Sequence, residues 1–146
     1  MNSINFDLIM KRLSEIKETV DLLKKLFSKS FSELIFTEIF AIRYLIIQLV
    51  ESAASICMHI MTNVFGKYPD GYPQCFLMLA EENIIPKYLA EKLASTARLR
   101  NLLIHGYWEI DDLRVYTEAK KGIEDFISFY EIIKGWLSKW KSNIST

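Results

Sequence analysis

Residues 33–65 read ELIFTEIFAIRYLIIQLVESAASICMHIMTNVF, and beyond Glu38 only Arg43, Glu51 and His59 break the run with a charge or an imidazole. The apolar residues fall at every angle of a helical projection and not along one stripe, so this stretch reads as a helix enclosed by other helices. Gly66 ends it, and Lys67-Tyr68-Pro69-Asp70-Gly71-Tyr72-Pro73 is a turn cluster with two prolines and a glycine. No part of the chain alternates apolar and polar residues over more than a few positions, which argues against a sheet. The fold class is therefore all-α, with this helix running through the middle.

On the N-terminal side, Ile4, Leu8, Ile9, Leu13, Ile16, Val20, Leu23 and Phe27 recur at steps of three and four, predicting an amphipathic helix over residues 4–28. Lys11, Arg12, Lys17, Lys24 and Lys25 lie among acids on its other face, as a solvated surface would. A polar break follows, with Ser32 as the expected N-cap of the central helix. On the C-terminal side a short helix over residues 73–82 carries Phe76, Leu77 and Leu79. Pro86 suits a first helical position, so a fourth helix is expected from there to His105. Leu89, Leu93, Ala97, Arg100 and Ile104 share its inner stripe. Tyr107-Trp108-Glu109-Ile110 then reads as a short aromatic bend, and Asp111 or Asp112 can cap the last helix. Phe126, Phe129, Tyr130, Ile133, Trp136, Leu137 and Trp140 keep a helical stripe nearly to the end, as core or dimer contact. The expected architecture is an up-and-down bundle of four long helices plus one short one, a single domain over residues 1–146, with neighbouring long helices mostly antiparallel.

Composition sets the class of partner. Hydrophobic residues make up 51% and charged residues 25% of the 146, with five Gly and three Pro, so the chain is ordered and helix-rich. Lys plus Arg equals Asp plus Glu at 18 each. This is unlike a protein that holds nucleic acid non-specifically, although a catalytic cleft needs only a local positive field. Cys57 and Cys75 form no CxxC pair and have no His at metal-ligand spacing, so they read as buried thiols in a reducing cytoplasm. Neither a metal nor a cofactor is expected, and no glycine-rich phosphate loop is present. Met1 to Asp7 lacks the basic start and apolar run of a secretory leader, and the longest uncharged run, Ser52–Gly66, has only 15 residues. A cytoplasmic protein without a membrane partner is the expectation. His59 reads as a core histidine paired with an oxygen. Arg43 and Glu51, eight apart, read as a polar contact with each other or as part of a dimer surface.

The chemistry concentrates in Arg100-Asn101-Leu102-Leu103-Ile104-His105-Gly106-Tyr107, which holds one of the two histidines in the chain. Gly106 suits the left-handed position that ends a helix. His105 then sits in the last turn, where the partial negative charge of the helix end favours the imidazolium. Asn101 and His105 are four apart and share a face, whereas Arg100 stands about 140° round from His105 and Arg98 within about 20° of it. One straight helix does not aim Arg100 and His105 at a single atom unless the Arg stem bends back. A two-fold dimer would supply both groups to one cleft. An imidazole that moves protons and a guanidinium that holds phosphate together suit phosphodiester cleavage in RNA. The 2′-oxygen is the nucleophile, so the ends would be a 2′,3′-cyclic phosphate and a 5′-hydroxyl, with no metal required. The alternative at this point is plain: an Arg and a His near a helix end also serve as a surface ion pair and a capping side chain.

The string resembles the HEPN superfamily and, within it, the HepT-like toxins, whose mark is Arg, a polar residue, then His a few residues on and Tyr two past the His. Arg100, Asn101, His105 and Tyr107 match each position, and Ala41 to Leu45, Phe76 to Pro86 and Tyr107 to Asp111 look like family sequence. The resemblance implies the HEPN fold and a metal-independent endoribonuclease working as a homodimer. Arg100 and His105 would be its catalytic pair and Asn101 would support them. It also implies a cognate antitoxin, a minimal nucleotidyltransferase of the MntA type, which silences the toxin by AMPylation of Tyr107. The rival from another class is a non-catalytic helical subunit that binds a nucleotidyltransferase or its substrate, with Arg100 and His105 holding nucleotide phosphate.

Overall fold

The computed structural model describes residues 3–106 and 109–145. Its helices are α1 (Phe6–Phe27), α2 (Phe36–Phe65), α3 (Tyr72–Glu81), α4 (Lys87–His105) and α5 (Asp112–Ser145), with a single 3-10 turn over Phe31–Glu33 before α2. Among the described residues there is no strand. Four long helices and one short one form the expected up-and-down bundle, and α2 is its hub, packing against α1, α3, α4 and α5. Ile46, Leu49, Val50, Ala53, Ile56, Cys57 and Ile60 of α2 are buried against Ile9, Leu13 and Ile16 of α1 and Phe126 and Phe129 of α5 in one apolar cluster. Phe76 of α3 meets Phe129 edge to face, with ring centroids 5.8 Å apart. By length and composition α2 could cross a membrane, yet half of its most apolar window is buried inside the bundle.

Two helix starts depart from expectation. Ser32 caps nothing: the Ser30 and Ile35 amides donate to the Glu33 and Glu38 carboxylates at 3.0 and 3.1 Å, so the chain inserts the 3-10 turn and α2 begins at Phe36. Glu38 thus satisfies the Ile35 amide that the Ser32 hydroxyl was expected to serve, while Glu33 satisfies the Ser30 amide at the start of the 3-10 turn. Pro86 is the N-cap of α4 and not its first residue, with an extended ψ of 150°. Asp111 does cap α5, its side chain accepting the Arg114 amide at 3.3 Å.

Helix ends follow backbone chemistry. Gly66 adopts φ 62°, and the Lys67 amide reaches back to the Met61 carbonyl at 2.9 Å, the long-reach bond of a left-handed stop. Tyr116 of α5 seats the α1–α2 connection. Its hydroxyl donates to the Lys29 carbonyl, and its ring lies edge-on to Phe27 and Phe31 at 5.3 and 5.6 Å.

Candidate active site

Arg100 leaves α4 toward the outer side of α2 and α3. One Nη donates to Glu51 on α2, the other to the Asn101 side chain at 2.8 Å, and the guanidinium carbon lies 4.8 Å from the centre of the Tyr72 ring on α3. The Tyr72 hydroxyl donates to the other Glu51 oxygen at 2.8 Å. Three helices, α2, α3 and α4, thus close on one guanidinium, which is gripped at two edges and covered on a face. Burial, then the hydrogen bond and charge of Glu51, hold the Tyr72 hydroxyl above its ordinary pKa, so it stays a donor at neutral pH. Arg100 Nε is the one buried side-chain nitrogen among the described residues without a hydrogen-bond partner.

His105 is the last residue of α4 and is exposed. It makes no hydrogen bond or ion pair among the described residues, so within one chain it stands outside the Arg100 cluster. The five-residue step accounts for this, because it carries the side chain about 140° round and about 7.5 Å along. Arg98 is exposed as well.

Gly106 departs from expectation. Its φ is −118°, not left-handed, and its amide continues the helical ladder to the Leu102 carbonyl at 2.8 Å. A Cβ there would meet that carbonyl at 2.9 Å and Leu102 Cδ1 at 3.2 Å. Glycine is needed for close approach to the preceding turn, not for handedness.

The family model for ribonuclease HepT-like proteins matches residues 16–133, and so takes in the whole cluster and His105. The chain belongs to this family. An mRNA nuclease HepT from Shewanella oneidensis is 24% identical over 132 residues, covering 88% of the chain and 97% of that relative. Among solved structures, a tri-AMPylated Shewanella oneidensis HEPN toxin in complex with its MNT antitoxin superposes with a TM-score of 0.81 at 25% identity, over 90% of the chain and 99% of the toxin. A cytosolic Bacillus subtilis protein reaches a TM-score of 0.83 at 17% identity, over 95% and 94%, a likeness of fold.

In this HepT-like chain Tyr107 lies outside the described residues. Arg43 and Glu51 do not pair. Eight residues put them about 80° apart and about 12 Å along the helix, and Arg43 instead forms a two-point contact with Asp112 at 2.7 and 2.7 Å. His59 is half-buried, and its Nε2 accepts the Asn5 amide at 3.0 Å, so its partner there is a donor and not an oxygen. Cys57 and Cys75 are buried free thiols, and burial, then contact with Cys75, pushes the Cys57 thiol well up. Among the described residues no group of three or more His, Cys, Asp or Glu is placed to hold a metal ion. Sequence reasoning missed Tyr72, which lay in the turn cluster as a mere connector. Its only signal was an aromatic ring at the start of a helix next to prolines.

Proposed function

We propose that this HepT-like chain is the toxin of a toxin–antitoxin pair and an endoribonuclease that cuts RNA through side-chain chemistry alone, without a metal. The observation that carries the reading is the seating of Arg100, an always-charged fork fixed by Asn101 and Tyr72 on the helix that ends in His105. Arg100 binds the scissile phosphate and offsets the charge that builds on it. Its Nε is buried without a hydrogen-bond partner, an unmet donor that costs about 1–3 kcal/mol. His105, open to solvent, moves the proton of the 2′-hydroxyl or of the departing 5′-oxygen. The products are a 2′,3′-cyclic phosphate and a 5′-hydroxyl.

The working unit in this proposal is a homodimer in the cytoplasm, since one chain does not aim its own Arg100 and His105 at one atom. Supporting it, Phe36, Phe40 and Tyr44 stand 77%, 53% and 64% exposed along α2. Phe40 and Tyr44 each point within about 20° of Glu51 round the helix, so the apolar stripe and the Arg100 cluster look the same way. The partner that silences the toxin is a minimal nucleotidyltransferase of the MntA type, acting by AMPylation of Tyr107; the tri-AMPylated toxin bound to its antitoxin supports this part.

The test is incubation of the purified protein with total RNA in EDTA beside His105→Ala, with end-group analysis of new fragments. Cyclic-phosphate ends from the parent alone are expected. Equal cleavage by His105→Ala removes that residue from the mechanism. Intact RNA from a parent that mass spectrometry finds unmodified assigns the chain to the rival role of a nucleotidyltransferase-binding subunit.

A further inference from the structure

Glu51 touches the phosphate-binding guanidinium and the Tyr72 hydroxyl, and no step of the reaction just described uses it. We infer that Glu51, oriented by Tyr72, is the positioning residue for Arg100: it seats the guanidinium for an incoming phosphate and yields its place when the phosphate arrives. This rests on the ribonuclease reading.

An arginine side chain has many rotamers, and a free one must be ordered at the moment of binding. Here the Tyr72 ring covers one face at 4.8 Å, while Asn101 and Glu51 hold two edges. The grip of Glu51 is unlike the half-buried contact of Arg43. Asp112 takes Arg43 at two points, through Nε and Nη2, as a structural lock does. Glu51 takes Arg100 with one oxygen only, because its other oxygen accepts the Tyr72 hydroxyl at 2.8 Å. The remaining N–H groups of Arg100, Nε among them, are left uncommitted.

Exposure decides which partner moves. The Glu51 side chain is 40% exposed and that of Arg100 is 17%. The carboxylate can turn into water at little cost, whereas the guanidinium is walled in. On its exposed side Glu51 lines, with Tyr72, Tyr44 and Gln48, a groove of about 620 Å³ into which its carboxylate can turn when it leaves the guanidinium. Glu51 therefore competes with ground-state phosphate for the charge of Arg100 while keeping that charge in place.

Two consequences follow from one contact. Glu51→Gln keeps the shape, loosens the seat and ends the competition, so RNA binds more tightly and reacts more slowly, with kcat down about 100-fold and KM lowered. Tyr72→Phe keeps the ring over the guanidinium and removes only the bond that orients Glu51. The same changes are expected at smaller size, about ten-fold in kcat.

The experiment measures steady-state cleavage of a short RNA by the parent, Glu51→Gln and Tyr72→Phe, and fluorescence-anisotropy binding of the same sequence as 2′-O-methyl RNA, which lacks the nucleophile. Circular dichroism checks that helix content is unchanged. A fall in kcat with a fall in KM and tighter 2′-O-methyl binding is the expected result. A merely structural role would reduce the active fraction and leave KM and binding where they were, and that outcome overturns the inference. Parental kcat and KM in Glu51→Gln overturn it too, with the ribonuclease reading intact. A parent that leaves RNA whole removes both.

Discussion

His59 shows how one side chain turns burial into a pH dependence. Its Nε2 accepts the amide of Asn5, the residue whose own side chain caps α1 by accepting the Leu8 amide at 3.0 Å. Protonation would place a second donor against that amide, and burial already lowers the pKa of the ring. A folded-state pKa below the unfolded value of about 6.5 means that the unfolded chain binds the proton first. The stability that His59 contributes is therefore fully present above that value and is lost as pH falls through the folded one. The thermal midpoint of the parent is expected to drop from pH 7 to pH 5, and His59→Gln, which keeps an acceptor that does not titrate, is expected to drop less. Equal slopes would show that His59 is not the group involved. The sequence marks His59 as a core position because it interrupts an apolar run, but Asn5 lies 54 residues away and no local pattern points to it. The same holds at the site: Arg100 and His105 stand out by spacing, while Glu51, 49 residues from Arg100, becomes its partner only through the packing of α2 on α4.

At the scale of elements, the three polar interruptions of α2 each fasten a different neighbour. Arg43 holds the first turn of α5 through Asp112, Glu51 holds α3 and α4 through Tyr72 and Arg100, and His59 holds the start of α1 through Asn5. Steps of eight residues turn about 80° each, so the three side chains fan across nearly half the helix circumference. A helix apolar all round can rotate or slide in its socket at modest cost. Three directional contacts fix its register. Arg43 is the cleanest to probe, since both partners are about a quarter exposed and the bond is two-pointed. Arg43→Ala is expected to lower unfolding stability by about 1–3 kcal/mol, read as a shift of the urea midpoint at unchanged slope. No shift would reduce the contact to a surface pair. The helices themselves were legible because periodicity is a property of each segment alone. Their exact starts were not, since Glu38 takes the Ile35 amide that a Ser32 cap would have served and Glu33 draws the Ser30 amide into a 3-10 turn, an outcome that depends on the fold of the connection.

The bundle as a whole closes its core yet leaves Phe36 and Phe40 stacked on each other in solvent, ring centroids 6.4 Å apart, with Tyr44 one turn on. Arg43 covers part of Phe40, its guanidinium carbon 5.3 Å from the ring centre, but Phe36 stays largely in water, and a contiguous apolar patch of this kind marks an interaction surface. The sequence could assign these residues to a helix but not to its outer side, because the run around them is apolar in every direction. A second copy seated on the stripe would face Glu51 and Arg100 of one chain toward those of its mate. The helix step that separates His105 from Arg100 by about 140° would then cease to be an obstacle, as one chain's imidazole could serve the other's phosphate. The double variant Phe36→Ser/Phe40→Ser removes mostly exposed apolar surface and the Arg43 contact on Phe40 while leaving the buried core intact, so each chain is expected to keep its helical signal. Sedimentation equilibrium is expected to find the parent as a dimer and the variant as a monomer, with RNA cleavage lost in the variant although Arg100 and His105 are untouched. A variant that stays dimeric places the interface elsewhere. A monomer that cleaves as fast as the parent dispenses with the second copy, and the Arg100 stem would then have to swing away from Glu51 toward its own His105.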